Sequence, residues 1–136
     1  MTKNLDNEGL RSIVDNYDLF YIDIWGVVHN GVNIFKDSIK VLNEILKLKK
    51  ELVLLTNAPR PNENVKKFCE KLGMDKKLSK HIFTSGEAAI KYLKKNSYKD
   101  KFFHVGPPRD FDLFRDFKRN KTNDIKDATY LLCTGL

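Results

Sequence analysis

Asp23 is the first residue placed to do chemistry. It closes the apolar run Leu19-Phe20-Tyr21-Ile22 and is followed by Ile24-Trp25-Gly26-Val27-Val28-His29-Asn30-Gly31. A carboxylate at the end of a strand can attack phosphorus and form an aspartyl-phosphate. It can also hold Mg²⁺, a hard cation that prefers carboxylate, carbonyl and phosphate oxygens. A second apolar run, Leu52-Val53-Leu54-Leu55, ends in Thr56-Asn57. The Thr56 hydroxyl could donate to a phosphate oxygen. Backbone N–H groups near Trp25-Gly26 and at Asn57 could form an anion nest. Asp23 alone fits a turn residue equally well, and Thr56 or Asn57 alone fits a helix cap. Two strand ends of this kind, brought to one crevice by adjacent parallel strands, favour a site.

The elements that must position these groups can be read from periodicity. Residues 6–15 read as a short helix with Leu10, Ile13 and Val14 on one face. The first strand is expected at 19–23, buried, with Gly26 permitting a sharp turn. Asn30-Gly31 between β-branched segments predicts a small hairpin over Asp23, reaching Phe35. Asp37 or Ser38 is expected to cap a helix running to about Lys50, with Val41, Leu42, Ile45, Leu46 and Leu48 at helical spacing. Residues 52–55 read as a doubly buried parallel strand. Pro59 and Pro61 suit a loop feeding a helix that carries Val65, Phe68, Cys69 and Leu72 and stops at Gly73.

A third strand is expected at 81–83. Thr84-Ser85-Gly86-Glu87 fits a capping box that opens the next helix. Residues 96–101 are a polar break and the candidate domain boundary, dividing 1–98 from 99–136. Beyond it come a strand over 102–106, a helix over 110–118 with Phe111, Phe114 and Phe117 aligned, a polar loop over 119–127 and a strand over 128–133. Strands alternating with helices predict βαβ units and a parallel α/β sheet.

Composition narrows the function classes. The chain has 136 residues, 41% apolar and 32% charged, which is ordinary for one soluble globular domain. No apolar run approaches the ~20 residues that cross a bilayer, and the N-terminus lacks a signal-peptide core. The two cysteines, Cys69 and Cys133, lack metal-ligand spacing and are expected as buried thiols in a reducing cytoplasm. The net charge is +7, but only five of the 25 basic residues are Arg. The lysines are spread over most predicted helices without an aromatic-and-Arg platform, which argues against nucleic acid. The charge would still steer anionic substrates. Trp25 is expected either to pack under the hairpin or to form a substrate wall. His29 is expected to be solvated, His81 and His104 carry no chemistry, and Arg60 and Arg109 are expected at the surface.

Residues 20–31, with their Asp-x-Trp-Gly-Val-x-His-x-Gly pattern, resemble the first motif of the haloacid dehalogenase-like superfamily, class IIA. Leu54-Leu55-Thr56-Asn57-Ala58 resembles its second motif, and Phe83-Thr84-Ser85-Gly86 and His104-Val105-Gly106-Pro107 follow the family order. The resemblance implies a Rossmann-like parallel sheet with flanking helices, then the first βαβ of an α/β cap. It implies Asp23 as nucleophile and metal ligand and the Trp25 carbonyl as a second metal ligand. Gly26, Thr56 and Asn57 would bind phosphate, Mg²⁺ would be the cofactor, and a small phosphorylated metabolite the substrate.

The departures from the family pattern set further expectations. The family's general acid–base Asp stands two residues after the nucleophile, where this chain has Trp25. The Lys of the third motif and the acidic ligands of the fourth are expected beyond the end of this sequence. The 136 residues are therefore expected to be the N-terminal portion of such a hydrolase, with an incomplete site and a weak Mg²⁺ site. The alternative readings are a non-catalytic phosphate-binding or interaction protein, or one half of a split enzyme. An open sheet edge would then recruit a second copy or a complementing C-terminal half.

Overall fold

The structure is a computed structural model that describes residues 5–96 and 99–135. The strands are β1 (Leu19–Asp23), β2 (Glu51–Thr56), β3 (Ile82–Thr84), β4 (Phe102–Val105), β5 (Lys121–Thr122) and β6 (Tyr130–Cys133). The α-helices are α1 (Lys36–Lys47), α2 (Asn62–Lys71), α3 (Lys76–Ser79) and α4 (Ser85–Asn96). One sheet has the order β1-β2-β3 and the other β5-β4-β6. The chain divides into two compact units. One comprises residues 1–55 and 69–81, the other residues 56–68 and 82–136. The polar break expected over 96–101 includes residues 97 and 98, which lie outside the described residues.

In the first unit β1 and β2 pair in parallel, Leu19 opposite Glu51 through Asp23 opposite Leu55. Both runs are apolar, yet neither is doubly buried. Along β1 exposure alternates, and Tyr21 is 66% exposed. Along β2, Leu52 and Leu54 are buried while Leu55 faces solvent. The period of two puts alternate residues on opposite faces, and only one face here is covered. Leu42 and Ile45 of α1 and Leu78 of α3 are buried, as are Leu52 and Leu54.

Other expected elements change form. In place of a helix over 6–15 there are two 3₁₀ turns, Leu10–Ser12 and Val14–Asn16. Gly9 precedes them at φ 65°, a conformation that suits glycine and starts the segment as separate turns. Helix α1 begins one residue before its expected caps. Ser38 donates instead to the Val27 carbonyl at 2.6 Å, and Asp37 pairs with Lys40 at 2.8 Å. The helix ends in a Schellman arrangement, with Lys49 N–H on Leu46 and Lys50 N–H on Ile45. Lys49 takes the left-handed position, φ 58°, that glycine usually holds.

In the second unit β4 lies between β5 and β6, parallel to both. Phe102 on β4 is fully buried with Leu93, Leu113, Phe114, Phe117 and Leu132. The segment Pro108–Asn120 is 3₁₀, kinked at Phe114 and Phe117, and not the expected α-helix. The reason is visible in the spacing: Phe111, Phe114 and Phe117 recur every three residues, which is the 3₁₀ period. The polar stretch after it contains β5 and a 3₁₀ turn, Ile125–Asp127. Cys69 is buried as expected, but Cys133 is exposed. Burial, helped by Glu70, pushes the Cys69 thiol up to about 11, so it stays protonated and inert near neutrality.

Candidate functional site

Asp23 is the last residue of β1 and is exposed. One carboxylate oxygen, Oδ1, accepts the Ile24 N–H at 2.7 Å. The turn that follows is built on the Ile24 carbonyl, which accepts from Val28 at 2.8 Å and His29 at 3.3 Å. Gly26 sits at φ 77° and donates to the His29 carbonyl at 2.8 Å. Trp25 and His29 thereby form an isolated parallel bridge. The bridge uses the amide groups flanking Trp25 and neither of its own. Its carbonyl is not consumed by this bonding.

The expected hairpin over Asp23 is not a ladder. His29 forms single bridges to Trp25 and Ile34. Asn30 turns the chain with its side chain, accepting from Val32 at 3.0 Å and Asn33 at 2.8 Å, an Asx turn that competes with strand pairing. His29 is 3% exposed, not solvated as expected. Its Nδ1 accepts the Gly31 N–H at 2.9 Å. Trp25 remains 61% exposed.

Thr56 ends β2, directly after Leu55, the residue opposite Asp23. Its hydroxyl oxygen accepts the Ala58 N–H at 3.3 Å, which leaves the hydroxyl hydrogen to donate. The loop over 57–62 is laced to the β3–α4 turn. Ser85 donates to the carbonyls of Asn57 at 2.8 Å and Ala58 at 3.0 Å. Thr84 Oγ1 donates to the Arg60 carbonyl at 2.5 Å. The Thr84 N–H reaches Asn62 Oδ1 at 2.9 Å. Half of the expected capping box forms, Glu87 N–H to Thr84 Oγ1 at 2.9 Å. The Glu87 carboxylate accepts instead from the Asn62 N–H at 3.1 Å. A helix-start motif is thus also the clamp on the loop after Thr56. Its Thr-x-x-Glu spacing signals a cap; only the tertiary bonds reveal the clamp.

Gly86 makes that clamp possible. A Cβ there would lie well inside contact distance of the Arg60 backbone nitrogen and carbonyl. Gly86→Ala is therefore expected to destabilise the chain by about 1–3 kcal/mol, the usual range for overpacking. Urea titration of the variant checks this, and an unchanged midpoint would contradict it.

The three histidines share one electrostatic feature. Burial lowers the pKa of His29. It lowers His81 and His104 as well, with Lys80 and Lys121 adding to the effect and Asp110 opposing it at His104. A His pKa below its unfolded value means that the unfolded chain binds more protons in acid. The stability involved is present above about pH 6.5 and is lost as pH falls below that value. The urea midpoint is expected to drop between about pH 7.5 and about pH 5.5, whereas a flat profile would contradict the assignment.

Arg60 and Asp110 form an ion pair at 3.9 Å. Arg60 is at the surface as expected, but Asp110 is buried. The donor set around Asp23 suits a hard cation in kind, a carboxylate and a carbonyl the turn does not consume. It is sparse in number, since Mg²⁺ takes six oxygens and keeps waters where protein ligands are few. Among the described residues no helix is long and apolar enough to cross a membrane.

A family model described as "Haloacid dehalogenase-like hydrolase" matches residues 20–118. The chain is similar to a solved haloacid dehalogenase-like hydrolase from Brucella suis, with 28% identity and TM-score 0.78 over 93% of this chain and 46% of that one. It is also similar in fold to a p-nitrophenyl phosphatase from Archaeoglobus fulgidus, with 18% identity, TM-score 0.65 and coverage of 85% and 44%. A glycerol phosphate phosphatase from Mycobacterium tuberculosis, solved with magnesium, shows 18% identity and TM-score 0.66 over 90% and 37%. The chain spans less than half the length of these structures. No curated protein matches it.

Proposed function

The chain belongs to the haloacid dehalogenase-like hydrolases, and on that footing we propose that it uses Asp23 as a nucleophile toward phosphate monoesters of small metabolites. The observation that carries this reading is the placement of Asp23. An exposed carboxylate ends β1, one oxygen held by the Ile24 N–H at 2.7 Å, at the carboxyl end of a parallel pair. Thr56 and the Asn57 N–H are assigned to phosphate, on a loop whose carbonyls are tied down by Ser85 and Thr84. Gly26 is read as shaping the turn beside Asp23 and not as a phosphate donor, since its N–H already donates to the His29 carbonyl at 2.8 Å. Two of the fold neighbours are phosphatases, which supports the reaction class.

The Asp23 carboxylate and the Trp25 carbonyl would hold Mg²⁺, and a neighbour solved with magnesium supports that cofactor. When bound, Mg²⁺ offsets the charge of the phosphoryl group. Residues 1–98 are read as the N-terminal part of the catalytic core and 99–136 as the opening of a cap. A cytoplasmic setting suits the small phosphorylated substrate. Taken alone, these 136 residues supply a nucleophile and a phosphate loop but no exposed proton donor on the turn after Asp23. They are read as accepting a phosphoryl group more readily than they turn it over; a second copy or a C-terminal half would complete the site.

The test is phosphoryl trapping. The purified chain is incubated with Mg²⁺ and an acyl phosphate, then digested for mass spectrometry. One phosphoryl group on the peptide containing Asp23, labile to hydroxylamine, is the expected result. No adduct, or an adduct that persists in Asp23→Asn, would overturn the assignment.

A further inference from the structure

Arg60 is a surface residue with a fixed backbone. It stands between Pro59 and Pro61. A proline locks its own φ and drives the residue before it toward extended backbone, so Pro61 confines Arg60. The Arg60 carbonyl accepts from Thr84 Oγ1 at 2.5 Å. Gly86 lies so close that a Cβ there would stand 2.3 Å from the Arg60 nitrogen and 2.5 Å from its carbonyl oxygen. Such constraint is wasted on a side chain that only has to stay in water. It fixes the point from which the side chain starts.

The side chain is directed as well. Nε pairs with Asp110 at 3.9 Å, and the Asp110 side chain is 4% exposed against 44% for Arg60. That distance exceeds the ~2.7–2.9 Å of a charge-assisted hydrogen bond, so Asp110 orients the guanidinium without saturating it. The other acid whose charge Arg60 feels, Asp112, is engaged by Arg115 at 2.7 Å and by Asn64 at 3.0 Å. The terminal nitrogens of Arg60 keep their N–H donors for a group arriving from solvent. A planar fork of this kind matches the oxygens of a phosphate.

Arg60 follows Thr56 by four residues and Asn57 by three, on the loop assigned to phosphate. Even on a fully extended chain the Cα atoms of Asn57 and Arg60 lie at most ~11 Å apart, a span that one arginine side chain and one phosphate cover. Thr56, Asn57, Arg60, Thr84, Gly86 and Asp110 all belong to the same compact unit. We propose that Arg60 is the side-chain anion ligand of this loop, its terminal N–H groups donating to the phosphoryl oxygens of the substrate beside Thr56 and the Asn57 N–H. The inference rests on the phosphate reading of the loop given above. Because the fork is held before the anion arrives, little freedom is lost on binding. A lysine would bring the charge on a flexible stem, without the fork.

The test uses the full chain and inorganic phosphate. Phenylglyoxal modifies accessible guanidinium groups, and mass spectrometry reads each arginine peptide. Phosphate is expected to slow modification of Arg60 and not of Arg11, a readout that needs no variant. By calorimetry, Arg60→Gln should bind phosphate about 10- to 100-fold more weakly, the range for hydrogen bonds to charged groups. That substitution leaves Asp110 buried without its cation, so Arg60→Gln combined with Asp110→Asn is the second variant and should show a similar loss. Arg60→Lys should retain part of the affinity. The loss should be alike for inorganic phosphate and glycerol phosphate, since the group held is the phosphoryl itself. Arg60 modified at the same rate with and without phosphate would overturn the assignment, as would a double variant that binds phosphate like the parent. A loss confined to glycerol phosphate would overturn it too, by placing Arg60 at the leaving group. The nucleophile is judged separately: phosphate should still shield Arg60 in Asp23→Asn. Shielding at Arg60 without any adduct on Asp23 in the parent would overturn the nucleophile reading and leave this inference standing.

Discussion

Asp23→Asn is expected to lower any phosphate-ester turnover by the chain on the order of 10³-fold or more, the scale seen when an enzyme loses its nucleophile. The amide has the shape of the carboxylate but cannot form an acyl phosphate by attack on phosphorus. The Ile24 N–H that now donates to Asp23 Oδ1 at 2.7 Å would find the amide oxygen in the same place. The turn should therefore survive and the thermal melt should barely move. Proton transfer by a general acid is typically worth ~10²–10⁴-fold, and the turn after Asp23 presents no exposed acid. The starting rate is therefore expected to be low and to rest on the nucleophile. Assays of both forms against a panel of monoesters with Mg²⁺ check this. A variant that melts normally yet turns over within about tenfold of the parent would place the nucleophile elsewhere.

Phe102→Ala is expected to cost about 3–5 kcal/mol of stability, the range for emptying a buried aromatic site. Phe102 has no exposed surface. Its ring meets Phe114 edge-on at 5.1 Å and Phe117 at 6.1 Å, and stacks on Tyr130 at 5.8 Å. Those partners are bulky rings that cannot collapse fully into the space. A native domain is stable by only ~5–15 kcal/mol, so the variant should lose a large share of its margin. Urea titration gives the number, and a loss under about 1 kcal/mol would mean that the cluster repacks.

Strand positions were legible because apolar runs bounded by charged residues have few other uses. Asp23 and Thr56 were legible because each ends such a run. What the runs could not show is how much cover each face receives. Tyr21 and Leu55 read as core residues and stand in solvent, because burial depends on what packs against a strand and not on its own composition. His29 failed in the opposite sense. Its neighbours Asn30 and Gly31 signal a solvated hairpin, but the side chain folds inward to accept the Gly31 N–H. The aromatic segment after β4 carries its answer openly: Phe111, Phe114 and Phe117 signal a helix, and their repeat of three is the 3₁₀ period. The Thr84–Glu87 pattern yielded the helix start. It could not yield the bond to the Arg60 carbonyl, since nothing local to either segment points to the other.

That last bond also orders events in time. Arg60 and Thr84 are 24 residues apart, and the loop after Thr56 is synthesised before the turn that fixes it. At ~5–20 residues per second, roughly one to five seconds pass in which the loop exists without its clamp. During that interval Asn57, Ala58 and Arg60 have carbonyls awaiting partners that have not yet been made. The loop assigned to phosphate thus acquires its shape only after residues 84–87 have followed it, and a growing chain holds its nucleophile strand well before it can hold an anion.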